Sequence, residues 1–311
     1  MRWEKKGLIF KPDGSKEWSK SHAQMPIVDK INIDRWRVYY STRDKLNRSR
    51  IGYIDINPNN PKKILKISNN PILELGKPGT FDDSGVMASW LLNFKEKKYL
   101  YYIGWMERKS IVPYHNSIGL AISNDGGKTY KKISEGPLFS STINEPFFTG
   151  TSCVIVDNNK FKNWYLSCTG WINIKSIYEP LYHIKYAESK DGIQWVRKGE
   201  VAIDYKGINE GGIVKASVLR EQNIYKMWYA YRNRSNFRNN IADSYRIGYA
   251  ESSDGIKWVR KDHKAGISVS EKGWDSKMIS YPHVVEYNGE KIMFYNGNGF
   301  GKSGFGYAVL K

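Results

Sequence analysis

The sequence predicts an all-β fold, a five-bladed β-propeller, from two repeated segments and one repeated turn. An Ile-Gly-Tyr-like segment recurs as Ile51-Gly52-Tyr53, Ile118-Gly119-Leu120, Ile184-Lys185-Tyr186, Ile247-Gly248-Tyr249 and Phe305-Gly306-Tyr307, with third residues 67, 66, 63 and 58 positions apart. An aromatic segment keeps step as Val38-Tyr39-Tyr40, Leu100-Tyr101-Tyr102, Trp164-Tyr165-Leu166, Met227-Trp228-Tyr229 and Met293-Phe294-Tyr295, with middle residues 62, 64, 63 and 66 apart. The turn Ser-x-Asp-Gly follows at Ser123, Ser189 and Ser252. A β-pattern repeated at this period reads as blades around an axis.

Each repeat has the same order. A polar, acid-containing stretch leads into an apolar strand, which in a propeller lines the axis. The aromatic strand and the Ile-Gly-Tyr strand follow. The turn then leads to a last strand near Thr129-Tyr130, Gln194-Trp195 or Lys257-Trp258. Asp-Gly supplies a side-chain acceptor and a residue tolerant of positive φ, so Asp125, Asp191 and Asp254 are read as structural. One domain is expected over residues 1–311, with blades near 15–75, 76–140, 141–204, 205–270, and 271–311 plus 1–12. The fifth repeat stops after its Gly-Tyr strand. The N-terminal segment Arg2–Phe10 is therefore expected to pair with it and close the ring.

The chain has 311 residues, 40% of them hydrophobic, enough for a packed core. Its 11 Trp and 22 Tyr suit sheet faces and sugar-facing pockets alike. Two cysteines, Cys153 and Cys168, make no disulfide framework and are read as buried thiols. No apolar run is long enough to span a bilayer, and the first residues lack a signal peptide's apolar core, so a cytoplasmic protein is expected. The formal net charge of +18 favours anionic partners, with peripheral association with an anionic membrane among them. No zinc-finger, helix-turn-helix or RNA-binding motif is present, and no nucleic-acid partner is expected.

The start of each innermost strand is where chemistry is expected. Asp82, Glu145, Glu210 and Asp275 precede their aromatic markers by 19, 20, 18 and 19 residues. Four blades thus place a carboxylate at one equivalent position, and clustered acids are what acid–base chemistry uses. The first blade has His22-Ala23-Gln24 instead. Arg43 and Arg232 lie four residues after their markers, where the second blade has Trp105. Lys215 and Tyr281 each precede their marker by 13. His22, Gln24, Arg43, Trp105, Lys215, Arg232 and Tyr281 are the candidate binding residues. Their cations suit a phosphorylated ligand, or structural pairing with the acids.

Asn144-Glu145-Pro146 and Glu210-Gly211-Gly212, on successive blades, resemble central-strand motifs of the five-bladed glycoside hydrolases of families 32, 43, 62 and 68. The resemblance implies that Glu145 stabilises the transition state or tunes a pKa and that Glu210 is the general acid. Those enzymes carry a first-blade aspartate, where this chain reads His22-Ala23-Gln24-Met25-Pro26. Asp82 or Asp83 is the expected substitute. Gly79-Thr80-Phe81-Asp82-Asp83-Ser84-Gly85, Tyr101-Tyr102-Ile103-Gly104-Trp105 and Tyr295-Asn296-Gly297-Asn298-Gly299-Phe300-Gly301 are similar to propeller proteins of bacterial surface-polysaccharide biosynthesis. That likeness implies furanosyl transfer from a phosphorylated donor, such as phosphoribosyl diphosphate, to a glycan acceptor. Mg²⁺ held by Asp82 or Asp83 would accompany a diphosphate. Hydrolysis of furanosides and non-catalytic glycan binding are the alternatives. Ser123–Tyr130 also fits the Asp-box of sialidases, but those have six blades and this chain shows five repeats.

Overall fold

The computed structural model describes residues 1–311, and its regular elements are strands apart from two three-residue 3-10 turns, Ile241–Asp243 and Asp262–Lys264. After β1 (Trp3–Phe10), the first blade is β2 (Ser21–Asn32), β3 (Arg35–Arg43), β4 (Ser49–Asn57) and β5 (Asn60–Ile67). The second is β6 (Gly85–Phe94), β7 (Lys97–Glu107), β8 (Tyr114–Ser123) and β9 (Lys131–Lys132). In the third, β10 (Thr149–Asp157), β11 (Lys160–Ile174) and β12 (Ile177–Ser189) are edged by β13 (Trp195–Val196) and β14 (Val201–Ile203). The fourth is β15 (Glu210–Glu221), β16 (Ile224–Asn233), β17 (Arg246–Ser252) and β18 (Val259–Arg260). The last joins β19 (Ser280–Tyr287), β20 (Glu290–Asn296) and β21 (Phe305–Leu310) to β1, which pairs antiparallel with β21 from Trp3↔Leu310 to Phe10↔Phe305. The expected pairing of the two chain ends is therefore present.

The innermost strands β2, β6, β10, β15 and β19 form a closed circle of neighbours, each against the next and β19 against β2. Each has a register shift in its first half, at 24/27, 88/90, 149/152, 214/217 and 280/283. A bulge releases a backbone N–H from its ladder, and a buried N–H needs another acceptor. At every seam a side-chain oxygen supplies one. Ser41 Oγ accepts from Ala88 N (2.9 Å), Ser89 Oγ from Ser152 N (2.6 Å) and Thr151 Oγ1 from Lys215 N (3.1 Å). Ser217 Oγ accepts from Val284 N (2.8 Å) and Asn296 Oδ1 from Met25 N (2.7 Å). These small polar residues tie the five blades together around the axis.

The repeated sequence segments are explained by contacts between blades. Tyr101 Oη donates to Gly192 O (2.9 Å) and Trp164 Nε1 to Gly255 O (2.8 Å), each reaching the Asp-Gly turn of the following blade. Within that turn, Asp191 Oδ1 accepts from the amides of Ile193 and Gln194, and Asp254 Oδ1 from those of Ile256 and Lys257. Where the adjacent strand carries Tyr102 or Tyr229 the motif needs glycine, because a Cβ at Gly119 or Gly248 would overlap that ring. Both cysteines are buried and free.

Candidate functional site

The repeated carboxylates are not on the axis. Each is gripped inside its own blade by a base on or next to an outer strand, and usually by a tyrosine from the second. Asp82 accepts from Tyr102 Oη (2.9 Å) and pairs with Lys132 on β9 (2.6 Å). Asp275 accepts from Tyr295 Oη (2.9 Å) and pairs with Lys5 on β1 (2.7 Å). Glu145 accepts from Tyr165 Oη (2.9 Å) and Ser167 Oγ (2.7 Å) and pairs with Arg197 (2.9 Å). Burial pushes the Glu145 carboxyl up, but Arg197 and Ser167 outweigh it and hold it below its ordinary value. Glu210 pairs with both terminal nitrogens of Arg260 on β18, at 2.6 and 3.0 Å. Asp83 accepts from Gly79 N (2.9 Å) and Ser84 Oγ (2.7 Å).

Glu210, Asp82, Glu145, Asp83 and Asp275, expected as catalytic residues, do not line the axial cavity; Asp82, Glu145, Glu210 and Asp275 instead pair with bases of their own blades. An equivalent position in four of the five blades is also what a repeated blade clasp requires, and the structure shows the clasp in those four. Asp82 does not fit the expected Mg²⁺ site either, because the Lys132 ammonium already sits against it. No group of three or more His, Cys, Asp or Glu side chains is placed to hold a metal ion.

The axial cavity lies elsewhere along the same inner strands. It encloses about 320 Å³, and all five contribute: Gln24 and Met25, Met87, Gly150 and Thr151, Val214, and Tyr281. Several contributing residues sit at the bulges, where Met25 and Tyr281 have positive φ (53° and 53°). His22, Arg43, Trp105 and Arg232 join them in the lining. Of the candidate binding residues only Lys215 is absent from it. Lys215 is fully buried over the Trp90 ring (4.9 Å), and its Nζ has no hydrogen-bond partner. Burial pushes its pKa down to about 8. Val214, its neighbour, faces the cavity instead.

A wall of aromatic rings closes one side, with Tyr114 packed on Trp105 (4.5 Å), Trp171 (5.3 Å) and Phe148 (5.6 Å). Arg43, Met87, Trp105 and Tyr114 also line a second cleft of about 220 Å³, which holds Glu107 and Ser84. The two hollows therefore share a wall between the axis and the first two blades.

Glu179, on β12, is the one carboxylate in the axial cavity. It accepts from Arg238 Nε (2.6 Å) and Nη2 (2.9 Å). Arg238 belongs to the segment between β16 and β17, where Phe237 is buried on the Arg232 guanidinium (3.7 Å). That segment thus reaches into the cavity rather than standing clear of it. Burial, with the charges of Arg43 and Lys302, pushes the His22 pKa down to about 4, so its imidazole is neutral near pH 7. Glu179, Arg238, Phe237 and Tyr114 were not identified from sequence. The available hint is the interval from aromatic marker to Gly-Tyr residue: 14 and 13 in the first and fifth repeats, against 19, 21 and 21 in the middle three. The extra residues there build the cavity's walls.

Comparisons with known proteins match this geometry at the level of fold. A glycosyl hydrolase from Bacteroides ovatus superposes with a TM-score of 0.74 at 13% identity, covering 99% of this chain and 93% of that one. A thermostable family-43 glycoside hydrolase gives 0.66 at 18% identity, covering 93% and 88%. The GH32 β-fructofuranosidase of Bombyx mori gives 0.62 at 11% identity, covering 99% and 61%. The fold is thus that of the glycoside hydrolase-like propellers. These matches overturn the expected glycosyltransferase activity, since the propellers of this shape are described as hydrolases. No family model matches the chain. Two proteins of Mycobacterium tuberculosis, named uncharacterized protein MT1551 (strain CDC 1551) and uncharacterized protein Rv1502 (strain H37Rv), are each 37% identical to it over 311 residues, covering 100% of both chains. The chain belongs to the family of these two mycobacterial proteins.

Proposed function

We propose that this protein is a glycoside hydrolase-type enzyme that takes a glycan across the axial cavity and the adjoining cleft. One observation carries the reading: an aromatic-walled axial cavity contains a single carboxylate, Glu179, and shares its Trp105–Tyr114 wall with a cleft that contains another, Glu107. Aromatic faces suit the apolar faces of sugar rings. Glycoside hydrolysis needs one carboxylic acid to protonate the leaving oxygen and a second carboxylate to activate water or attack the sugar. Glu179 and Glu107 are the pair these two hollows offer. Furanosides are the substrate class implied by the resemblance to families 32 and 43.

Non-catalytic glycan binding is the second reading. It is favoured by the Arg238 fork, which occupies both oxygens of Glu179. Aryl furanosides and oligosaccharides incubated with the wild type and Glu179→Gln separate the two. Hydrolysis predicts product release that the variant loses. Saturable binding without product in either protein supports the second reading, and undiminished turnover by the variant removes Glu179 from the chemistry.

A further inference from the structure

Among the buried and half-buried arginines, Arg43 alone has neither a carboxylate nor a backbone carbonyl on its guanidinium. Arg37, Arg48, Arg50, Arg197 and Arg260 have carboxylates, while Arg232, Arg234 and Arg246 bind carbonyls. Arg43 makes one side-chain hydrogen bond, from Nε to Gln24 Oε1 (3.2 Å). Its terminal nitrogens are not among the sealed, unpartnered atoms, and the residue lines both hollows. A half-buried guanidinium without an anionic partner is costly, and its fork matches two oxygens of a carboxylate or phosphate. Nearby charge points the same way. The axial cavity holds Arg43, Arg232 and Arg238 against Glu179 alone, leaving two net positive charges while His22 is neutral.

We propose that Arg43 is an oxyanion-binding residue, so that the ligand of this cavity is an acidic sugar carrying a carboxylate or phosphate at the junction of cavity and cleft. This rests on the carbohydrate reading of the site. Glu179 satisfies Arg238, and backbone carbonyls satisfy Arg232, so Arg43 is the cation left open to the ligand.

Isothermal titration with matched probes tests it: glucose against glucuronate, and ribose against ribose 5-phosphate, with inorganic phosphate alone as a further titrant. The acidic member of at least one pair is expected to bind the wild type at least 10-fold more tightly than its neutral partner. Arg43→Gln should erase that difference. Arg43→Lys, which keeps the charge but not the fork, should retain part of it and serves if the Gln variant does not fold. Preference for the carboxylate or for the phosphate identifies which oxyanion is recognised. Equal affinity for acidic and neutral sugars overturns the proposal and leaves the carbohydrate site standing. Inorganic phosphate binding as tightly as ribose 5-phosphate, with no sugar bound otherwise, overturns the carbohydrate reading. No binding by any probe overturns both.

Discussion

Arg238 grips both carboxylate oxygens of Glu179, through Nε at 2.6 Å and Nη2 at 2.9 Å, and so ties the segment between β16 and β17 to β12 across the axial cavity. The Glu179 side chain is 7% exposed and that of Arg238 is 54% exposed. The acid is therefore inside and its partner at the mouth. A ligand entering the cavity meets the arginine beside the carboxylate.

Glu179→Gln should separate chemistry from folding. Under the hydrolase reading it lowers kcat by about 100-fold or more, the usual contribution of a positioned acid or base. The amide oxygen keeps one of the two hydrogen bonds and Arg238 is 54% exposed, so the stability loss should be smaller than at a pair buried on both sides. Steady-state kinetics and a thermal melt on the same preparation check both halves. A large stability loss with unchanged kcat would give Glu179 a purely structural role.

Glu210→Gln should do the reverse. Glu210 and Arg260 are 11% and 10% exposed at the side chain, and the change leaves the guanidinium without its anion on that side. Because Arg260 keeps Asp262 at 2.9 Å, the loss should be about 1–3 kcal/mol, below that of a fully unpaired buried charge. Denaturant unfolding should show that loss while any turnover by the folded fraction is retained. Loss of turnover at full stability would return Glu210 to the active site.

The contrast between Glu179 and Glu210 shows what was legible in the sequence. The blade repeat was readable because each marker is a contact: Tyr101 and Trp164 meet the next blade's turn, and Gly119 and Gly248 make room for a ring. The same regularity marks structural acids as clearly as catalytic ones. Asp82, Glu145, Glu210 and Asp275 recur because clasps recur, whereas a single site in a five-fold fold must break the repeat. Glu179, Arg238 and Phe237 lie in blade-specific extensions with no counterpart to align. His22, Gln24, Arg43, Trp105, Arg232 and Tyr281 converge because they lie on or beside the two inner strands of their blades. Lys215 has the same offset as Tyr281, yet the fourth-blade bulge sends Val214 to the cavity and Lys215 into the interior.

His22 should make stability depend on pH. Its folded pKa of about 4 lies below the ordinary value of 6.5, first through burial and then through Arg43 and Lys302. Between those values the unfolded chain binds a proton that the folded chain does not, so stability rises with pH across the window. The contribution is complete above pH 6.5 and declines as the pH falls toward 4. His115, His183 and His283 are also pushed down by burial and add to the slope. Thermal melts from pH 4 to 7 should show a shallower slope for His22→Gln than for the wild type. An identical slope would place the His22 imidazole in solvent.

Removing residues 1–10 should destroy the folded monomer, because β1 completes the last blade. Its pairing with β21 runs from Trp3↔Leu310 to Phe10↔Phe305, and without it β21 becomes an open edge next to apolar surface. Trp3 is 5% exposed and meets Trp228 edge-on at 5.9 Å, while Phe10 packs on Tyr40 at 4.9 Å. Lys5 is the partner that clasps Asp275. The deletion thus removes a strand, two core aromatics and the counter-ion of a carboxylate that is 2% exposed. Trp3→Ala alone should cost about 3–5 kcal/mol. Size-exclusion chromatography of the truncated chain should show aggregate in place of monomer, and a synthetic peptide of residues 1–11 should restore monomer if edge pairing is the cause. A truncated chain that stays monomeric with an unchanged melting temperature would mean that β21 is stable as an edge and that β1 adds nothing to the ring.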